Sequence, residues 1–179
     1  MDDNFFQNFT HSVAATRLLL EQAHERGGLI EGLVLYASVI DALLRNLVAL
    51  KTGERQGTTR LLDPRYFYHD DTKWMNERKV YAAARTCDVL TDSEFHELEE
   101  LYRFRNLIIH RFIISGVTYS QIASKLDQYE VIYSRILEQL RAIEQPDGEE
   151  LTDIEKVESR QRIARKLGAS FDGDERPDS

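Results

Sequence analysis

The sequence predicts an all-α protein, an up-and-down bundle of four to five main helices followed by a short C-terminal helix. Three observations predict it. Apolar residues recur with a period near 3.6 over long stretches, as in helices with one buried face. Only three prolines, at 64, 146 and 177, interrupt the 179 residues. Helix stop and start signals fall where the apolar rhythm breaks.

The first helix is expected over Asn4 to Arg26, stopped by Gly27 and Gly28. The second runs from Leu29 to Thr52 and is stopped by Gly53. A polar connection, 53–71, follows; its length suggests a functional loop or a helical turn of its own. The third helix covers Lys73 to Leu90. The fourth opens with a capping box at Thr91–Glu94 and continues to Ser115, where Gly116 ends it. A second capping box, Thr118 to Gln121, opens the fifth, which stops before Pro146. A last short helix is signalled at Thr152–Glu155 and ends near Gly168. The expected organisation is thus a bundle over 1–148, a helical extension over 149–168 and a disordered tail over 169–179, small and charged in composition.

A formal net charge of −8 argues against broad coating of nucleic acid, although it leaves room for a local basic patch. Cys87 is the only cysteine, so no internal disulfide and no cysteine-built zinc site can form. Its place in a helical pattern reads as a small buried hydrophobe. The acidic N-terminus, MDDNFFQNF, lacks a signal-peptide pattern. The longest apolar segment, 29–50, carries Glu31, Asp41 and Arg45, which counts against a membrane span. A cytoplasmic protein without membrane attachment is expected.

No glycine-rich phosphate loop, His-Glu-x-x-His or calcium loop occurs. His69, Asp70 and Asp71 have suitable metal-ligand chemistry, but three adjacent residues cannot close a site, and a solvated loop is the simpler reading. No metal or other cofactor is expected. His96, Glu99 and Glu100 read as exposed surface charges, and His11 and His24 have no partner visible in the sequence.

The anomaly lies in 101-LYRFRNLIIHRFIIS-115. On a helical wheel of about 100° per residue, Leu98, Leu101, Ile108, Ile109 and Phe112 fall within roughly 60° of Arg105. A permanent cation therefore sits centrally in an apolar face, where an unpaired guanidinium is very costly. It must meet an anion, a set of acceptors or a water-filled cleft. His110 lies about 140° round and ~7.5 Å along the axis, so the two groups can line opposite sides of one groove. Asn106 is one i,i+4 step from His110 and can fix its ring. Arg103 and Arg111 add positive charge. A simpler alternative is a structural salt bridge from Arg105 to another helix, with Asp41 the best candidate partner and His110 an ordinary boundary residue.

Arg105-Asn106-Leu107-Ile108-Ile109-His110 resembles the signature of the HEPN superfamily (higher eukaryotes and prokaryotes nucleotide-binding domain). In that family an Arg, four to six intervening residues and a His lie on a late helix of a small helical bundle, often with Asn after the Arg. The segment 33-LVLYASVIDALLRNLV-48 resembles the family's long core helix, and the likeness spans roughly Leu29 to Ile143. In the toxin branch paired with a nucleotidyltransferase antitoxin, a Tyr typically follows two residues after the His; here that position is Phe112. The resemblance implies a metal-independent endoribonuclease that dimerises so that two Arg–His sets face one cleft. It implies His110 as general acid or base, Arg105 as the phosphate clamp and Asn106 as the residue that orients His110 or binds the phosphate, with Asp41, Arg103 and Arg111 in support. The implied partners are RNA, a second copy of the chain bound through the motif-helix face, and a cognate antitoxin or regulatory protein, in a toxin or anti-phage defence role. The alternative is a non-catalytic HEPN-like module that binds a nucleotide or a protein. Ribonuclease chemistry leads to the expectation that neither Arg105→Ala nor His110→Ala lowers stability, whereas a structural bridge makes Arg105→Ala destabilising.

Overall fold

Val39, Leu43, Leu44, Leu47, Val48 and Ala49 point to every side of a single helix, and all are buried. A helix that is apolar on several sides must be wrapped by others. In a computed structural model that describes residues 3–56 and 75–144, this is what happens. The described residues form five helices and no strand: α1 (Asp3–Glu25), α2 (Leu29–Gln56), α3 (Glu77–Thr86), α4 (Asp92–Ser115) and α5 (Tyr119–Glu144). The fold is an all-α bundle. Helix α2 is its axis, packed most extensively on α5 and also on α1, α3 and α4. By length and composition Leu29–Gly53 could cross a membrane, but more than half of its most apolar window is buried inside the bundle.

The local signals act as their chemistry requires. Gly27 takes a left-handed φ of 68° after α1, and the Gly28 amide donates to the Ala23 carbonyl at 2.7 Å, turning the chain back into α2. Thr91 and Glu94 form a complete capping box at the start of α4. Thr118 and Gln121 exchange the equivalent bonds at the start of α5. Gly116 ends α4 at φ 68°.

Two boundaries differ from expectation. Helix α2 passes through Gly53 to Gln56. An interior glycine costs only about 1 kcal/mol, and this one follows a long, fully packed helix. Helix α3 is shorter than Lys73 to Leu90 and begins at Glu77. Asn76 accepts a hydrogen bond from the Lys79 amide at 3.0 Å and caps it there. It ends at Thr86, with Cys87 as C-cap and Asp88 at φ 58° turning the chain toward α4. Cys87 is half-buried, its sulfur 3.8 Å from the Thr52 hydroxyl. The connection 57–71 with His69–Asp71, the helix expected over 152–168 and the tail 169–179 lie outside the described residues.

Candidate functional site

The N-terminus of α3 meets the middle of α4 in the bundle, and Arg105 bonds both to its own helix and to α3. Its side chain is only 15% exposed, as the wheel position demands. Nη1 lies 2.7 Å from Oε2 and 2.8 Å from Oε1 of Glu77, itself 14% exposed. Nη2 donates to Asn106 Oδ1 at 3.2 Å. The guanidinium carbon stands 4.9 Å from the centre of the Tyr102 ring, within cation–π range. Nε is buried, with no acceptor among the described residues. Burial opposes the charge on Arg105. The attraction of Glu77 and its hydrogen bond outweigh that, so the guanidinium pKa is raised.

Glu77 has a second donor, the Tyr81 hydroxyl, one helical turn along α3. Burial and then the Glu77 charge push the Tyr81 pKa far upward, with a further contribution from Asp41. Burial likewise raises Tyr129, where Arg105 pulls the other way. A polar nest inside an apolar bundle is thus assembled from α2 (Asp41), α3 (Glu77, Tyr81), α4 (Tyr102, Arg105, Asn106) and α5 (Tyr129).

The structural bridge exists, but its partner is Glu77 and not Asp41. Asp41 is held by Arg45, one turn further along α2, at 2.7 Å. Arg45 also donates to the Met75 carbonyl at 2.7 Å, so it pins the residue just before the α3 cap. Asp41 borders the nest without touching Arg105 in an ion pair.

His110 is exposed, and among the described residues no hydrogen bond or ion pair reaches it. Asn106 turns its carbonyl oxygen to Arg105 instead of bonding the imidazole. The reason is charge: a guanidinium makes a charge-assisted hydrogen bond to the amide oxygen. Arg103 is exposed and reaches back to Glu99 at 3.5 Å. Arg111 is exposed and carries the one non-helical backbone within α4, φ −143° and ψ 18°. Ile109 is 48% exposed, so the apolar face around Arg105 is narrower than the wheel suggested. Beyond the kink, Ile113 and Ile114 are 97% and 81% exposed. Phe112 is half-buried, edge-on to the exposed Tyr119.

Glu99 is also not the surface charge its neighbours implied. It is buried, and Arg78 grips it through Nε at 2.7 and 3.0 Å and Nη2 at 2.5 Å. His96 and Glu100 remain exposed. Among the described residues no group of three or more His, Cys, Asp or Glu side chains is placed to hold a metal ion.

Sequence reasoning missed Glu77, Tyr81 and Tyr102. Glu77 and Tyr81 stand at i,i+4 on one helix face, a visible spacing. The meeting of Glu77 with Arg105, twenty-eight positions away, is set by the packing of α3 on α4. Comparison with family models, with curated proteins and with solved structures returns no match to this chain.

Proposed function

We propose that the chain is a HEPN-like, metal-independent endoribonuclease acting in the cytoplasm as a toxin or defence effector. The observation that carries this reading is the exposed, unpartnered His110 one turn beyond Arg105 and Asn106 on α4. In this reaction the imidazole of His110 removes the proton from a ribose 2′-hydroxyl. The 2′-oxygen bonds to phosphorus, the bond from phosphorus to the 5′-oxygen breaks, and a proton returns to that oxygen. The products are a 2′,3′-cyclic phosphate and a 5′-hydroxyl end. Arg105 stabilises the charge growing on the phosphate. A second copy supplies the second imidazole, and the apolar residues beside His110 are the surface that joins the copies. A cognate antitoxin or regulatory protein restrains the activity.

The test is RNA cleavage in EDTA by the wild-type chain and by His110→Ala. General acid–base groups contribute roughly 10²–10⁴ in rate, so cleavage should collapse in the variant. DNA, which lacks the nucleophile, should resist both. Cleavage that requires a divalent metal, or that survives the loss of His110, refutes the mechanism.

One observation favours a second reading, a non-catalytic HEPN-like module for a nucleotide or a protein. Arg105 is already neutralised by Glu77, and Asn106 does not orient His110. That reading expects ligand binding to persist in His110→Ala with no cleavage by either form.

A further inference from the structure

Arg105 and Arg78 each face a glutamate on a neighbouring helix, Glu77 half-buried and Glu99 buried, yet they hold it differently. Arg78 presents the Nε–Nη2 edge of its fork and makes three contacts to Glu99, at 2.5–3.0 Å. That is the strong, bidentate geometry. Arg105 meets Glu77 through Nη1 alone, with both carboxylate oxygens on one nitrogen. Its Nη2 carries a single bond of 3.2 Å, and its Nε carries none to a described residue. The edge that suits a phosphate is not used by Glu77.

Glu77 also keeps support if Arg105 lets go. The Tyr81 hydroxyl donates to it from the next turn. It is the first residue of α3, where the helix dipole favours an anion. An ion pair whose acid keeps one hydrogen-bond donor and a helix N-terminus without its base is one that a competing anion can open.

We propose that Glu77 is an internal counter-ion that occupies Arg105 in the resting protein, and that a phosphate of the nucleic-acid backbone displaces it. The inference rests on the reading of Arg105 as the phosphate-binding group. Glu77 offsets the guanidinium charge and holds the group inward. A phosphodiester draws it off, while Tyr81 and the α3 N-terminus retain the carboxylate. The site is thereby biased against weak anions, because any ligand must outcompete a preformed pair.

The experiment measures binding of a fluorescent 2′-O-methyl RNA oligonucleotide, which lacks the attacking hydroxyl. The full chain is compared with Glu77→Gln, Glu77→Asp, Arg105→Ala and the Glu77→Gln/Arg105→Ala double variant, each checked for fold by circular dichroism. Glu77→Gln should bind roughly 3–10-fold tighter, because a phosphate pair restores most but not all of what the Glu77 pair loses on opening. Glu77→Asp, which keeps the charge but retracts it by one methylene, should show a smaller gain. The Glu77→Gln gain should vanish when Arg105 is absent. Equal or weaker binding by Glu77→Gln, with Arg105→Ala still impaired, overturns the counter-ion and leaves the phosphate clamp standing. Unchanged binding by Arg105→Ala removes the clamp, and the counter-ion with it. Loss of fold in both Glu77 variants identifies a purely structural ion and overturns the inference.

Discussion

Arg105 and His110 differ most in their surroundings, and their alanine variants should separate accordingly. His110 is exposed and makes no polar contact with a described residue, so His110→Ala should leave stability within about 0.5 kcal/mol of wild type. Arg105→Ala strands a carboxylate that is 14% exposed. Breaking a buried pair from one side costs about 3–5 kcal/mol. The Tyr81 hydroxyl remains for Glu77, which places the expected loss at about 3 kcal/mol, the low end of that range. Urea titration of both variants checks this; an Arg105→Ala midpoint equal to wild type contradicts the buried pair. The expectation that function and stability would separate cleanly at Arg105 therefore does not hold. The sequence showed that this cation needed an anion, acceptors or water and did not show which, because Asp41 and Glu77 are both acids on helices that pack against α4. Glu99 gives a second prediction. The hydrogen bond from Arg78 lowers its pKa; burial opposes this, and the charges of Arg78 and Arg103 add to it. Its folded pKa thus lies below the ordinary carboxylate value of about 4.3. Between the two values the unfolded chain binds more protons, so this contribution is complete above the unfolded pKa and is lost as pH falls through the folded one. Denaturation midpoints followed from neutral to acid pH should fall less steeply in Glu99→Gln than in wild type. Parallel slopes would show that Glu99 is not perturbed.

Helix boundaries were legible wherever the determinant is local. Thr91 and Glu94, three residues apart, satisfy each other's backbone at the start of α4, and the same geometry recurs at Thr118 and Gln121. Thr91→Ala removes the hydroxyl that accepts from the Glu94 amide. It should cost about 1 kcal/mol, within the 0.5–2 kcal/mol span of such caps, with Thr91→Ser close to wild type. Thermal melts of the two variants decide it, and an alanine variant as stable as wild type would mean that α4 is positioned by packing alone. Boundaries were illegible where a local rule met a stronger non-local term. Gly53 reads as a stop, but α2 is held on all sides before it arrives there. The start of α3 moves to Asn76, where the cap and the Arg45 contact to Met75 coincide. The burial of Glu99 belongs to the same class, since Arg78 approaches it from another helix. The apolar periodicity of α4 predicted the buried Leu98, Leu101 and Ile108 correctly and misplaced Ile109, because the helix leaves the bundle near the kink at Arg111.

At the scale of the whole molecule, opposing forces act on the association of two chains. Each carries a formal charge of −8, so copies repel at long range. Against this stands the end of α4. Before the kink, Leu107 lies about 60° to one side of His110 and Ile109 about 100° to the other; both are exposed, and Ile113 and Ile114 follow beyond it. Burying one isoleucine is worth about 1.5–3 kcal/mol. Ile113 and Ile114 from two copies therefore supply about 6–12 kcal/mol, similar to the ~4–15 kcal/mol cost of association. Those four side chains alone leave a marginal dimer; Leu107, Ile109 and the exposed Tyr119 have to join the seam to make it stable. Two signatures follow. Sedimentation at micromolar concentration should give about twice the 20.8 kDa chain mass, and the Ile113→Asp/Ile114→Asp variant should run as a folded monomer whose melting temperature no longer depends on protein concentration. Raising salt should tighten the dimer, because screening shortens the reach of the net charge to about 10 Å at 0.1 M. The same salt should weaken RNA binding, where phosphate contacts release counterions. A dimer that loosens with salt would point to an interface made of ion pairs, with the isoleucine seam playing no part. A wild-type monomer at these concentrations would leave each His110 without a second copy, and the shared cleft would have to be abandoned.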